Sequence, residues 1–287
     1  MNRRVIELYD EYTHGGMDRR EFLLRLARAA GGAAAATVLL PMLENRYAQA
    51  ATVAPDDPSI MIGRERFDGP AGPVNAYVVW PAKAPARRGA VVVIHENRGL
   101  NAHIEDVARR LAKAGFAAVA PDALSGSGGT PTNEDEARKL IGELDRETAL
   151  GIYLAAVQHA AKHPHGAGKV GCVGFCWGGG ISGRLAARST ELTAAVVFYG
   201  MPPAAEEAAM IRVPLLLHYA GRDTRINDAV PAFEATLKAA GARYELHMVP
   251  DVDHAFHNDT NAARYNADAA KLAWRRTVAF FTRELDS

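Results

Sequence analysis

Lys169-Val170-Gly171-Cys172-Val173-Gly174-Phe175-Cys176-Trp177-Gly178-Gly179-Gly180 is the stretch whose reading decides the fold. Val170 to Phe175 has the length and apolar character of a buried strand, a helical stretch opens near Gly178, and Gly174-x-Cys176-x-Gly178 spans the junction. On a turn this tight the neighbours two before and two after the central residue crowd each other, and glycine at both places removes the Cβ atoms that would clash. The pattern is that of a nucleophile elbow with cysteine in the reactive position. Such a turn holds the sulfur above the end of the strand and at the start of the next helix, where the dipole and free N–H groups favour thiolate. An inert buried cysteine on a glycine-rich turn is the competing reading. Nucleotide binding is a weaker one, since Gly178 to Gly183 matches G-x-G-x-x-G but the next strand ends Phe198-Tyr199-Gly200, without the acid that motif needs. Cys172, inside the strand, reads as core packing.

Working outward, Ser59 to Phe67 and Val74 to Trp80 read as an antiparallel strand pair around the turn cluster Asp68 to Pro73. Ala90 to His95 is a continuous apolar run of the kind buried on both faces of a parallel sheet. Asn101 can cap a helix whose Ile104, Val107, Ala108 and Leu111 share one face, and Phe116 to Ala120 is the next strand. Helical pattern runs from Asn133 to about Lys162. Further strands at Ala194 to Tyr199, Val213 to Tyr219 and Tyr244 to Val249 alternate with helices near 178–188, 228–240 and 266–285. This alternation predicts an α/β fold, a mostly parallel sheet with helices on both faces, as one catalytic domain over residues 51–287.

Composition sets the outer bounds. The 287 residues are 48% hydrophobic and 23% charged, which excludes disorder, and 33 Lys+Arg balance 33 Asp+Glu, which removes the positive field a nucleic-acid partner needs. Two cysteines form no disulfide framework, and four residues apart at a strand end they lie roughly 13 Å from each other, beyond bonding reach. No cofactor and no metal are expected.

A thiol nucleophile needs an imidazole for its proton, and that imidazole a carboxylate to fix its tautomer. In a fold with this elbow the chain order is nucleophile, acid, histidine, so only His218, His247, His254 and His257 compete. His218 and His247 lie within strands. His254 and His257 lie in the loop after the last strand, at the edge where open α/β sheets bind ligands, with His254 preferred and His257 in reserve. Asp223, just past Val213 to Tyr219, is the preferred acid, with turn capping as its plain alternative. Asp251 and Asp253 stand too close to His254 in sequence to orient it.

These residues resemble the dienelactone hydrolase family (carboxymethylenebutenolidases) of α/β-hydrolases. The resemblance spans about residues 60–285 and rests on Glu96-x-x-Gly99, Pro121-Asp122, Gly174-x-Cys176-x-Gly178-Gly179, Gly221-x-Asp223 and His254-x-Phe256. It implies an α/β-hydrolase fold, a Cys176-Asp223-His254 triad, Glu96 as the carboxylate that helps control the thiol, and backbone N–H groups of Asn97 and Trp177 as the oxyanion hole. It implies a hydrolase that cleaves an ester or lactone through an acyl-cysteine. An acyltransferase on the same triad and a non-catalytic thiol or binding protein on the scaffold are the alternatives. The arginines that hold the substrate carboxylate in dienelactone-cleaving members are replaced here by Leu124-Ser125-Gly126 and by Asn258 after His257. Arg98 is left as the nearby cation for substrate, with Trp177 beside the nucleophile and Glu96 placed to occupy Arg98. The expected partner is a small neutral ester or lactone, and the expected assembly a monomer or small homo-oligomer.

Residues 1–50 stand apart. Ala29 to Leu43 runs without charge for about fifteen residues, short of the roughly twenty a membrane span needs. With Arg19-Arg20 upstream and Ala48-Gln49-Ala50 downstream, the layout resembles a twin-arginine export signal, which would place the mature protein in the periplasm. The alternative is a retained N-terminal helical extension on a cytoplasmic protein.

Overall fold

The computed structural model describes residues 2–46, 51–83, 88–166 and 168–286. Eight strands form one sheet: β1 (Ile60–Gly69), β2 (Gly72–Pro81), β3 (Ala90–Ile94), β4 (Ala117–Pro121), β5 (Val170–Phe175), β6 (Leu192–Phe198), β7 (Leu215–Ala220) and β8 (Tyr244–Val249), in the order β1-β2-β4-β3-β5-β6-β7-β8. β1 and β2 pair antiparallel from Ile60 opposite Pro81 to Gly69 opposite Gly72, and β2 lies antiparallel to β4. All pairings from β4 through β3 to β8 are parallel. This is the mostly parallel sheet with an antiparallel pair at its start that the alternation of patterns predicted.

Strand geometry explains the two cores. Side chains alternate between faces, so Ala90, Val92 and Ile94 of β3 enter one cluster while Val91 and Val93 enter the other. Helices α4 (Ala102–Lys113) and α11 (Ala267–Leu285) cover one face with Ile104, Val107, Leu111, Phe280 and Phe281. Helices α6 (Arg146–Ala161), α7 (Trp177–Arg188) and α10 (Val230–Ala239) cover the other with Tyr153, Val157, Leu185, Phe233 and Leu237. The helical pattern from Asn133 to Lys162 is two helices, α5 (Glu134–Glu143) and α6, rather than one. Leu144 is extended and the Asp145 side chain accepts from the Thr148 amide, so a local cap starts a new helix where the pattern alone continues. Two short helices, α8 (Ala205–Ala208) and α9 (Thr224–Asn227), sit in loops after β6 and β7.

The N-terminal segment forms three helices, α1 (Arg3–His14), α2 (Arg19–Ala30) and α3 (Ala33–Leu43). The uncharged stretch breaks at Gly31 and Gly32, whose φ values of 84° and 144° suit glycine alone, and α2 and α3 meet at a bend of 113°. Among the described residues no single helix is long and apolar enough to cross a membrane. Ala48-Gln49-Ala50 lies outside the described residues. Tyr9, Tyr12, Phe22, Leu26 and Leu43 make a small core of their own. This unit is fastened to the α/β domain: Arg264 pairs with Asp10 at 3.2 Å, Asn261 donates to the Leu43 carbonyl at 2.6 Å, and the Arg46 amide donates to the Thr260 carbonyl at 2.8 Å. Arg19, one of the paired arginines, bridges Asp135 at 3.0 Å and Glu44 at 2.9 Å.

Candidate active site

β5 delivers the chain into a turn at Cys176, whose backbone takes φ 55° and ψ −115° before α7 begins at Trp177. The glycines are required sterically. A Cβ on Gly174 would lie 1.9 Å from the Gly178 carbonyl oxygen, and one on Gly178 would lie 2.4 Å from the carbonyl oxygen of His95. Gly179 packs as closely against β6, its Cβ position 2.7 Å from the Phe198 carbonyl oxygen. The strained turn is held by the Cys176 amide donating to the Phe198 carbonyl at 3.0 Å.

The two thiols are free and differ sharply. Cys172 is wholly buried in β5 with its sulfur 3.1 Å from the Ser182 hydroxyl, and burial pushes its thiol up to about 12. Burial would also raise the Cys176 thiol. There the imidazoles of His14 and His254 outweigh it and bring the thiol down to about 5.

His254 and Asp223 are both buried, and His254 Nδ1 is hydrogen-bonded to Asp223 Oδ2. Asp223 reaches this point because β7 ends beneath it and α9 starts from it. Burial pulls the His254 imidazole down, but the Cys176 sulfur and the Asp223 carboxylate raise it to about 10. A thiolate beside an imidazolium is the resulting charge state near neutral pH. The reserve candidate His257 is packed among Phe175, Phe198 and Trp274, away from the sulfur, and burial depresses it well below its ordinary value. His218 is equally buried and stacks on His247. Asp251 and Asp253 face Arg222 instead.

A second imidazole reaches the sulfur. His14, at the end of α1, places Nε2 3.2 Å from Cys176 Sγ, and its ring meets the His254 ring edge-on at 4.5 Å. Nδ1 of His14 faces Asp10 one helical turn earlier, 3.2 Å from its carboxylate. Confining the search for a base to histidines after Cys176 left this residue out. The available signal was the i, i+4 spacing of Asp10 and His14 on a helical face. The donor atoms of His14, Cys176 and His254 lie within 4.8 Å of one another, so among the described residues this trio is also a set that could hold a metal ion.

A cavity of about 960 Å³ opens onto Cys176, His254, Asn97 and Trp177, with Thr13 to Met17 as part of its wall. Trp177 is the first residue of α7, so the helix itself leaves its amide unused, and its ring stacks on His95 at 5.3 Å. The Asn97 side chain donates to the Thr13 carbonyl at 2.9 Å. Glu96 is buried, and its Oε2 accepts from Asn258 Nδ2 at 2.8 Å. Arg98 does not stand where the sequence reading put it. It is buried, with Nε 2.7 Å from Glu134 Oε2 and Nη2 3.2 Å from the Tyr9 hydroxyl, and it does not line the cavity. Glu134, not Glu96, occupies its guanidinium. The arginines on the cavity wall are Arg138, Arg146, Arg184 and Arg225.

Known proteins match most of the chain. The model of the dienelactone hydrolase family matches residues 74–285, and that of a YqhI-like family matches residues 1–32. A protein from Yersinia pestis described as a candidate carboxymethylenebutenolidase is 31% identical over 223 residues, covering 72% of this chain and 83% of its own length. A relative from Salmonella typhi with the same description is 30% identical over 242 residues, covering 79% and 89%. The crystal structure of a candidate dienelactone hydrolase from Klebsiella pneumoniae superposes with a TM-score of 0.71 at 30% identity, covering 78% of this chain and 99% of that one.

Proposed function

Because this chain belongs to the dienelactone hydrolase family, we propose that it hydrolyses small esters or lactones through an acyl-cysteine formed on Cys176, with His254 and Asp223 completing the triad. The observation that carries this reading is the pairing of a depressed thiol at a strained strand–helix turn with a buried imidazole held by a buried carboxylate. The thiolate attacks the acyl carbon, and the amides of Asn97 and Trp177 receive the developing oxyanion. As the tetrahedral adduct collapses the C–O bond to the leaving group breaks, and His254 gives that alkoxide its proton. Water then loses a proton to His254, attacks the thioester, and releases the acid with the thiolate restored. Glu96, next to Asn97 in the chain, is a buried carboxylate anchored by Asn258.

The experiment is a rapid-mix assay of the purified full chain on a chromogenic short-chain ester. A burst of product matching the enzyme concentration, absent in Cys176→Ala, is expected. Full turnover in that variant overturns the reading.

Residues 1–46 are proposed to stay with the catalytic domain, in line with the retained-extension alternative. The support is that Arg19, Asp10 and Leu43 are all tied to the catalytic domain and that His14 meets the sulfur.

A further inference from the structure

We propose that Asp10 and His14 form a second carboxylate–imidazole pair of the active site, in which His14 takes the Cys176 thiol proton and leaves His254 free to serve the leaving alkoxide and the attacking water. This deepens the reading of Cys176 as nucleophile and rests on it.

The geometry is that of a base and its orienter. Nδ1 of His14 lies 3.1 Å from the Asp10 carbonyl oxygen, 3.2 Å from the Asp10 carboxylate and 3.0 Å from the Thr13 hydroxyl. With Nδ1–H held by Asp10, Nε2 presents its lone pair to the thiol 3.2 Å away. Asp10 is in turn fixed by Arg264, and although burial would raise its carboxyl, His14, His254 and Arg264 hold it well below the ordinary carboxylate range. The transfer is simple in its balance: the S–H bond breaks, an N–H bond forms at Nε2, and a thiolate–imidazolium pair results. His254, whose ring meets the His14 ring at 4.5 Å, keeps a buried Nε2 with no hydrogen-bond partner among the described residues, so that atom is available to substrate.

Besides His14 and the Arg264–Asp10 pair, further contacts hold the end of α1 in register. Asn97 Nδ2 donates to the Thr13 carbonyl, the Arg138 guanidinium to the Tyr12 carbonyl, and Arg98 to the Tyr9 hydroxyl. The helix walls the cavity without filling it, since about 960 Å³ stays open beside Thr13 to Met17. A segment that merely blocked the nucleophile would need neither a carboxylate behind its imidazole nor an open cavity in front. The other ionisable groups around this cluster include Asp223 with Arg225 at 4.0 Å, Tyr199 against the His254 ring, Glu96, Arg264, and Asp253 near Asp10.

The test uses the full chain with His14→Gln, His14→Gly, Asp10→Asn and Cys176→Ala. The pH dependence of Cys176 alkylation by iodoacetamide is measured beside steady-state kinetics. In His14→Gln the alkylation midpoint should rise from about 5 by at least about one pH unit, and kcat should fall about tenfold or more. Asp10→Asn should move both in the same direction by less. Added imidazole should restore part of the activity of His14→Gly, a rescue that a purely structural role would not give. An unchanged alkylation midpoint in both variants overturns the proposal. So does faster turnover in His14→Gln, which would make α1 a block, and so does activity lost to a chelator and restored by zinc, which would make His14 a metal ligand. Turnover surviving in Cys176→Ala would instead remove the underlying nucleophile assignment, so the two failures are distinct.

Discussion

His14 Nε2 and Cys176 Sγ meet at 3.2 Å across 162 positions of sequence. An N-terminal segment that composition sets apart is thereby brought against the Cys176 sulfur at the glycine-flanked turn, and several outcomes depend on how that sulfur is held.

Iodoacetamide should alkylate Cys176 far faster than Cys172, because one thiol is drawn down to about 5 and the other pushed up to about 12. The sign follows from the thiolate fraction. A thiol of ordinary value, 9.0, loses about tenfold in rate for each pH unit below that value, whereas Cys176 should keep its neutral-pH rate until the pH nears 5. Peptide mapping by mass spectrometry across this range checks both statements. Equal labelling of the two cysteines would sink the elbow assignment.

Asp223→Asn should leave the fold intact and lower kcat by about a thousandfold or more, since His254 loses the partner that fixes its tautomer. His254→Ala should abolish turnover. His257→Ala should act on stability, costing about 1–3 kcal/mol by opening a gap among Phe175, Phe198 and Trp274, because the ring is packed there and not at the sulfur. Denaturant midpoints measured beside kcat separate the two kinds of loss. A catalytic defect in His257→Ala greater than that in His254→Ala would exchange their roles.

Gly174→Ala should be among the most damaging single-methyl changes in the chain. Its Cβ would sit 1.9 Å from a backbone oxygen that cannot swing aside without unmaking the turn at Cys176. A loss of about 3 kcal/mol or more, or failure to accumulate as soluble protein, is expected. Wild-type stability with normal burst kinetics would show that the turn relaxes freely.

Arg98→Ala should weaken the seating of α1 on the catalytic domain without changing the preference between neutral and anionic substrates, because the guanidinium is spent on Glu134 and Tyr9. Neutral esters or lactones should be hydrolysed with roughly tenfold or higher kcat/KM than carboxylate-bearing ones of matched size if none of the four arginines on the cavity wall gives a substrate carboxylate a charge-assisted hydrogen bond. Should the anion be preferred, the preference should fall on Arg225→Ala, whose side chain does line the cavity. Matched pairs of substrates assayed on wild type and both variants decide this.

Mass spectrometry of protein from the native host should find an N-terminus at residue 1 or 2 on the active species. A mature terminus near Ala51 with full activity would restore the export reading of Arg19-Arg20 and make the contacts of His14 irrelevant to turnover.

The sequence by itself determined the sheet and the glycine-flanked turn that carries Cys176, since each is written in local terms: alternating strand and helix patterns, and glycines at 174 and 178 where a Cβ cannot fit. Chain order and loop position were enough to rank His254 and Asp223 first, because β7 and β8 carry both residues to the same edge of the sheet. Helix continuity was less legible, as the Asp145 cap outweighs a periodic pattern that runs on past it. What only the tertiary structure decided is which distant groups share the site. Arg98 lies two residues from Glu96 yet turns to Glu134, and His14 lies far from Cys176 in sequence yet touches it. The physical reason is that a charged or polar side chain near the centre must find its partner among whatever surfaces the folded chain brings there. That choice depends on how α1 packs against the catalytic domain, and no local pattern encodes it.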